Sequence, residues 1–185
     1  MKKIFALVAA VVVAFSASAQ IEKGEIVATA GIGLGNSLYG SYEKSLLPIN
    51  IEGEYGVAED VFGVAGLSLG VGPAISYTSG SYSYDSGWDE YDYTYKQSST
   101  LVAAKGYFHY SFLDVEKLDT YAAISLGYYI HSGKYTGYYN SKYSGGGFFY
   151  GFAVGARYWF TDLIGANLEA GYGLSWLKAG VTFKF

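Results

Sequence analysis

Ten ionisable side chains sit at alternate positions in stretches that are otherwise apolar or glycine-rich: Glu25, Glu52, Glu54, Lys105, His109, His131, Arg157, Glu169, Lys178 and Lys184. Carboxylates beside an imidazole or an ammonium group are the material of general acid–base catalysis. Drawn together away from water, the same groups make either a neutralised ion network or a polar conduit. The signs nearly balance, with Glu25, Glu52, Glu54 and Glu169 set against Lys105, Arg157, Lys178 and Lys184. Because buried charge is tolerated mainly when paired, the first reading is a structural network and the second a conduit. A turn centred near Leu163 is expected to bring Arg157 roughly opposite Glu169, and His109 reads as a polar filler of the same face.

Three further strings suggest chemistry and then argue against it. His131-Ser132 offers a base beside a nucleophile, but adjacent strand residues point to opposite faces and no carboxylate partner is visible. The glycines of "GIGLG", Gly31 to Gly35, recur every second residue with no helix after them, which suits close packing better than a phosphate loop. Asp85, Asp89, Glu90 and Asp92 lack the spacing of an EF-hand loop. The expectation is therefore a non-enzymatic chain with no cofactor and no metal.

The charges gain meaning from the elements that carry them. Eight segments alternate in polarity: Glu25 to Gly35, Ile49 to Val57, Phe62 to Tyr77, Leu101 to Phe112, Thr120 to His131, Phe148 to Phe160, Ala166 to Gly173 and Leu177 to Phe185. In each, the greasier parity holds no charged residue or histidine, while the opposite parity holds the ionisable set together with Gly31, Gly33, Gly35, Gly66, Gly70, Gly72, Gly151, Gly155, Gly171 and Gly173. A one-residue slip would put Lys or Arg on the lipid face, at roughly 2–4 kcal/mol each in mid-bilayer. Alternation alone also suits an exported soluble sandwich or lipocalin-like barrel with the apolar parity inside. Against that stand the glycine-rich polar face, the Tyr and Phe near the strand ends, and connections that alternate between short and long.

Composition agrees with an all-β chain, with Tyr 21, Phe 11 and Gly 26 but Pro only 2. "MKKIFALVAAVVVAFSASAQ" has the basic start, apolar run and Ala17-Ser18-Ala19 site of a secretory signal peptide, so residues 1–19 are expected to be removed, leaving 20–185 as one barrel domain. The 12 basic residues, less Lys2 and Lys3, face 16 acidic ones, which does not invite nucleic acid. There is no Cys for disulfides or thiolate metal sites. After the signal, no apolar run reaches the ~20 residues of a membrane helix, so membrane insertion requires a barrel.

The stretch "GARYWFTDLIGANLEAGYG", Gly155 to Gly173, leading into "LKAGVTFKF", Leu177 to Phe185, resembles the small eight-stranded outer-membrane barrels of the OmpA/OmpX type and the outer membrane protein beta-barrel domain family of Gram-negative bacteria. "AAKGYFHYSF", Ala103 to Phe112, resembles them less specifically. The resemblance implies an antiparallel up-and-down transmembrane barrel in the outer membrane. It also implies that Ala179, Val181, Phe183 and Phe185 form the terminal signal read by the barrel-assembly machinery. The short turns of such barrels lie in the periplasm, and an even strand number puts both termini there.

The loop "SGSYSYDSGWDEYDYTYKQ", Ser79 to Gln97, carries Tyr82, Tyr84, Trp88, Tyr91, Tyr93 and Tyr95 and extends the hairpin of strands three and four above the membrane. By parity its five tyrosines cap the barrel mouth. A second Tyr-rich loop is expected at Gly133 to Gly147. Exposed Tyr with Ser and Gly is an adaptable binding chemistry, so the expected partners are outer-membrane lipid, the assembly machinery and an extracellular ligand at these loops. The functional expectation is a structural or surface-interaction role. The alternatives are a porin-like path for small solutes or ions and, behind it, a lipid-modifying enzyme.

Overall fold

Strict alternation over nine or more residues can satisfy a membrane only if every strand has two neighbours. The computed structural model, which describes residues 19–34, 44–85, 92–110, 115–137 and 140–185, meets that condition. Eight strands, β1 (Ile26–Leu34), β2 (Lys44–Ala58), β3 (Leu67–Tyr84), β4 (Tyr93–Tyr110), β5 (Leu118–Thr136), β6 (Ser141–Trp159), β7 (Ile164–Gly171) and β8 (Leu177–Lys184), pair in sequence order. All pairs are antiparallel, and β8 closes on β1 through a register running from Val27 opposite Lys184 to Leu34 opposite Leu177. The all-β, eight-stranded up-and-down barrel read from the alternation is the observed fold.

The apolar parity faces outward. Ile51 is 61% exposed, while its neighbours Glu52 and Glu54 are 7% and 3% exposed. On β5, Ile124, Leu126, Tyr128 and Ile130 are exposed, and on β6 so are Phe148, Tyr150, Phe152 and Val154. A soluble barrel would turn these residues inward; an apolar band of this extent around the whole wall belongs against hydrocarbon. The soluble alternative is thereby set aside on geometry.

The strand limits differ from the sequence reading in an informative way. β3 begins at Leu67, not Phe62, because Asp60 and Phe62 take left-handed backbone conformations (φ 49° and 58°) around a 3₁₀ turn at Val61–Gly63. Gly66 closes that turn at φ +76°, so it is a turn residue and no lumen filler. At the other end β3 to β6 extend well past the expected limits and reach 18 or 19 residues, against 9, 8 and 8 for β1, β7 and β8. Outside the apolar band the outward positions become Ser, Lys and Thr, so the polarity signal stops while pairing continues. The Gly133 to Gly147 stretch, expected as a loop, is mostly paired strand from β5 and β6. The result is a barrel with one tall wall.

Two features adapt the backbone locally. β2 has a register irregularity between Leu46 and Ile49, where the buried Pro48 has no N–H to give the ladder. At the end near the termini, Ile21 packs with Val27 and Trp159, whose Nε1 donates at 2.8 Å to the carbonyl of Ala19, the last residue of the expected signal peptide. Gly56 leaves the room for this segment, since a Cβ there would collide with the Glu22 carbonyl. Residues 1–18, all of the expected signal peptide but its last residue, lie outside the described residues, as do Gly35 and Phe112.

Candidate functional site: the charged lumen and its mouth

The inward parity of six strands meets at mid-height in two stacked clusters. In the first, Lys105 on β4 reaches Glu52 on β2 at 2.7 Å and Glu169 on β7 at 2.5 Å. Lys178 on β8 reaches the other oxygens of the same two carboxylates, each at 2.6 Å. Two cations and two carboxylates thus close a ring across the lumen. Tyr107 donates to Glu52 at 2.9 Å, Tyr121 donates to Glu169 at 2.8 Å, and Asn167 Nδ2 donates to the Tyr121 oxygen at 2.8 Å.

The second cluster is built around Glu54. One oxygen meets Arg157 Nη2 at 2.5 Å and the other meets His109 Nε2 at 2.6 Å. His109 Nδ1 lies 2.9 Å from Asp119, and Arg157 Nη1 lies 3.7 Å from the same carboxylate. With a carboxylate at each ring nitrogen, His109 donates to both as the doubly protonated imidazolium when both acids are ionised. Its charge then completes the neutralisation of Glu52, Glu54, Asp119 and Glu169 by Lys105, Lys178 and Arg157. The Arg157 guanidinium also stacks over the Tyr107 and Tyr121 rings, at 5.4 and 4.8 Å. Glycine makes this packing possible at Gly70, where a Cβ would collide with the Glu54 carboxylate.

The register corrects one pairing. Arg157 lies opposite Asn167, and Glu169 lies opposite Gly155. The β6–β7 hairpin is centred on Asp162, one residue earlier than Leu163, and moving the centre by one moves every cross-strand pair by two. The Thr161 hydroxyl fixes that turn by accepting from Ile164 N at 3.0 Å. Arg157 therefore meets Glu54 across the lumen. Glu25 and Lys184, 3.1 Å apart, form a separate pair at the mouth near the termini and do not join the central clusters.

Asp119, Tyr107, Tyr121 and Asn167 belong to the network and were missed by the sequence reading. Asp119 falls one residue before the fifth segment expected from Thr120, although it shares parity with Tyr121 and Ala123. The two tyrosines were indistinguishable in type from those of an interfacial girdle.

The turn between β7 and β8 bends into the barrel. Leu174 packs on Leu101 and Ala103. Between this turn and the first cluster remains a cavity of about 30 Å³, lined by Asn50, Lys105, Lys178 and neighbours, room for a water or two. Further out, Ser76 donates to Asn50 Oδ1 at 2.6 Å, and Ser99 Oγ lies 2.5 Å from His131 Nδ1. His131 thus points inward to Ser99, whereas Ser132 points outward. Among the described residues no carboxylate contacts the His131 ring.

At the mouth of the tall wall, Tyr82, Tyr84, Tyr93 and Tyr95 occupy the inward parity with Tyr135 and Tyr143. Tyr93 stacks on Tyr84 and Tyr135 at 5.3 and 5.1 Å, and the Tyr95 and Tyr143 hydroxyls lie 2.5 Å apart. Trp88 and Tyr91, with Asp89 and Glu90, lie outside the described residues. Ala179, Val181, Phe183 and Phe185 all face outward on or beside β8.

An apolar exterior, a charged interior and closure without a free seam define an eight-stranded transmembrane β-barrel of the outer-membrane type. Solved structures share this fold. The attachment invasion locus protein Ail of Yersinia pestis, solved with the heparin analogue sucrose octasulfate, superposes with a TM-score of 0.53 at 16% identity, covering 89% of this chain and 100% of Ail. A major outer membrane protein from Thermus thermophilus gives 0.55 at 14% identity, covering 89% and 100%. No protein-family model matches the chain. No curated protein sequence matches it either.

Proposed function

We propose that this chain is a non-enzymatic outer-membrane barrel that presents a recognition surface outside the cell, with a lumen sealed by its own charges. The observation that carries the reading is the pair of stacked ion clusters, in which Lys105 and Lys178 bridge the same two carboxylates across the lumen and Arg157 meets Glu54 below them. An eight-stranded barrel is only just wide enough to be filled by side chains, and this one is cross-linked at mid-height. The test is single-channel recording on the refolded barrel. A silent bilayer is expected. Discrete, salt-dependent openings that change in Arg157→Ala would instead make it a small-solute porin.

In this reading the signal peptide is removed before Gln20, both termini face the periplasm and the tall wall stands outside. Its inward tyrosines then form the rigid, amphipathic part of a ligand-binding face. Ala179, Val181, Phe183 and Phe185 act as the assembly signal. Phe185→Ser is expected to lower the amount of heat-modifiable barrel in the outer membrane severalfold at unchanged in-vitro stability. Equal assembly would remove the signal role while leaving barrel closure untouched.

A further inference from the structure

The outward face of the tall wall changes character in a regular sequence. The last row of its apolar band is Tyr77, Thr100, Ile130 and Gly146, directly paired across β3 to β6. Two residues outward the same strands present Ser79, Ser98, Ser132 and Ser144, again directly paired. Two residues further come Ser81, Lys96, Lys134 and Lys142, and Lys44 on β2 pairs with Ser81.

Directly opposed side chains on one sheet face are about 4.5–5.5 Å apart at Cβ, and like charges there repel. Lys96, Lys134 and Lys142 are three such neighbours in a row. Among the described residues none of them has an ion-pair partner, whereas every lumen lysine has one. Among the described residues no carboxylate offsets this repulsion, which leaves the row open to an anion from outside the barrel.

Position indicates which anion. Lys134 lies four residues beyond Ile130, which is about 10 Å along the membrane normal for a strand tilted by ~40°, the depth of the headgroups. The serine and lysine rows line a groove of about 970 Å³ on the outer wall whose inner end is Leu46 and Tyr77. The groove therefore grades from apolar through hydroxyl to cationic, as an acyl chain grades into a phosphorylated headgroup. It is continuous with the band that hydrocarbon covers.

We propose that this strip is a binding site for the phosphate groups of a phosphorylated glycolipid in the leaflet around the tall wall. The lysines neutralise the phosphates, the serine hydroxyls donate to sugar and phosphate oxygens, and the acyl chains lie on the band below. The choice of leaflet rests on the proposed orientation; the site itself does not.

The folded barrel in neutral detergent is titrated in native mass spectrometry with diphosphorylated lipid A, the same lipid without phosphates, inorganic phosphate, or a heparin hexasaccharide. Wild type is expected to prefer the diphosphorylated lipid over the dephosphorylated one by at least about tenfold, given near-surface lysines that each attract anionic lipid measurably. K96Q/K134Q/K142Q is expected to lose that preference, and Lys23→Gln, at the other end, to keep it. If the triple variant lacks the gel migration of a folded barrel, Lys134→Gln, the middle lysine, carries the comparison with about a threefold loss. A preference retained by the lysine variants, or absent from wild type, overturns the site. Inorganic phosphate or heparin binding as tightly as the lipid overturns its assignment to a lipid. None of these outcomes alters the conductance test of the sealed lumen.

Discussion

Arg157→Ala is expected to destabilise the folded barrel by about 3–5 kcal/mol, read as a lowered urea midpoint with the barrel refolded in phospholipid vesicles. The cause is less the loss of Arg157 than what it leaves behind. Glu54 keeps only His109 as a partner, Asp119 loses its second cation, and the rings of Tyr107 and Tyr121 face a void. The cost of breaking a buried pair exceeds the net worth of the pair, so removing both charges is milder. Glu54→Gln combined with Arg157→Met should therefore sit closer to wild type than Arg157→Ala alone. If the double variant is the less stable of the two, the carboxylate left unpaired is not what destabilises the single variant.

Ile124→Arg is expected to cost about 2–4 kcal/mol in the same assay, because the side chain lies outward at mid-height of β5, between Ala122 and Leu126. Ser132→Arg, four positions beyond Leu126's neighbour Tyr128 on the same face, should cost about 0–1 kcal/mol because it emerges beside the headgroups. The contrast separates lipid exposure from mere exposure, since both side chains stand free of the protein. Equal costs at the two positions would contradict the placement of the apolar band.

Much of the architecture was legible because the membrane leaves few alternatives. Period-two polarity identified each strand and assigned Glu52, Glu54, Lys105, Arg157 and Glu169 to one face, since a single-residue slip would expose them to hydrocarbon. Two kinds of information were not local. The extension of β3 and β4 was expected from the tyrosines that recur at every second position, but the height of β5 and β6 was hidden because hydrogen bonding continues where the outward residues turn from Ile130 to Ser132 and Lys134, and polarity no longer alternates. The partners across the lumen were hidden because register depends on the centre of each turn. At the β6–β7 hairpin, one residue separates an Arg157–Glu169 pair from the observed Arg157–Asn167 opposition. Glu54 and Arg157, 103 residues apart, are joined only by the closure of the ring.

That closure has a kinetic consequence. The β1–β8 seam joins residues such as Thr29 and Thr182, whose hydroxyls meet at 3.0 Å across a separation of 153 positions. Every other strand pair is a hairpin that can form locally, but the seam must hold nearly the whole chain in a loop before its first bond is made. Until then β1 and β8 offer two unpaired edges to hydrocarbon; Lys178 already opposes Glu169 within the β7–β8 hairpin, but it has not reached Glu52, nor has Lys184 reached Glu25. Sealing the ring is therefore the event that completes the neutralisation of the lumen. A barrel caught before it carries both an open edge and uncompensated charge, which makes the late intermediate the state most exposed to aggregation and proteolysis.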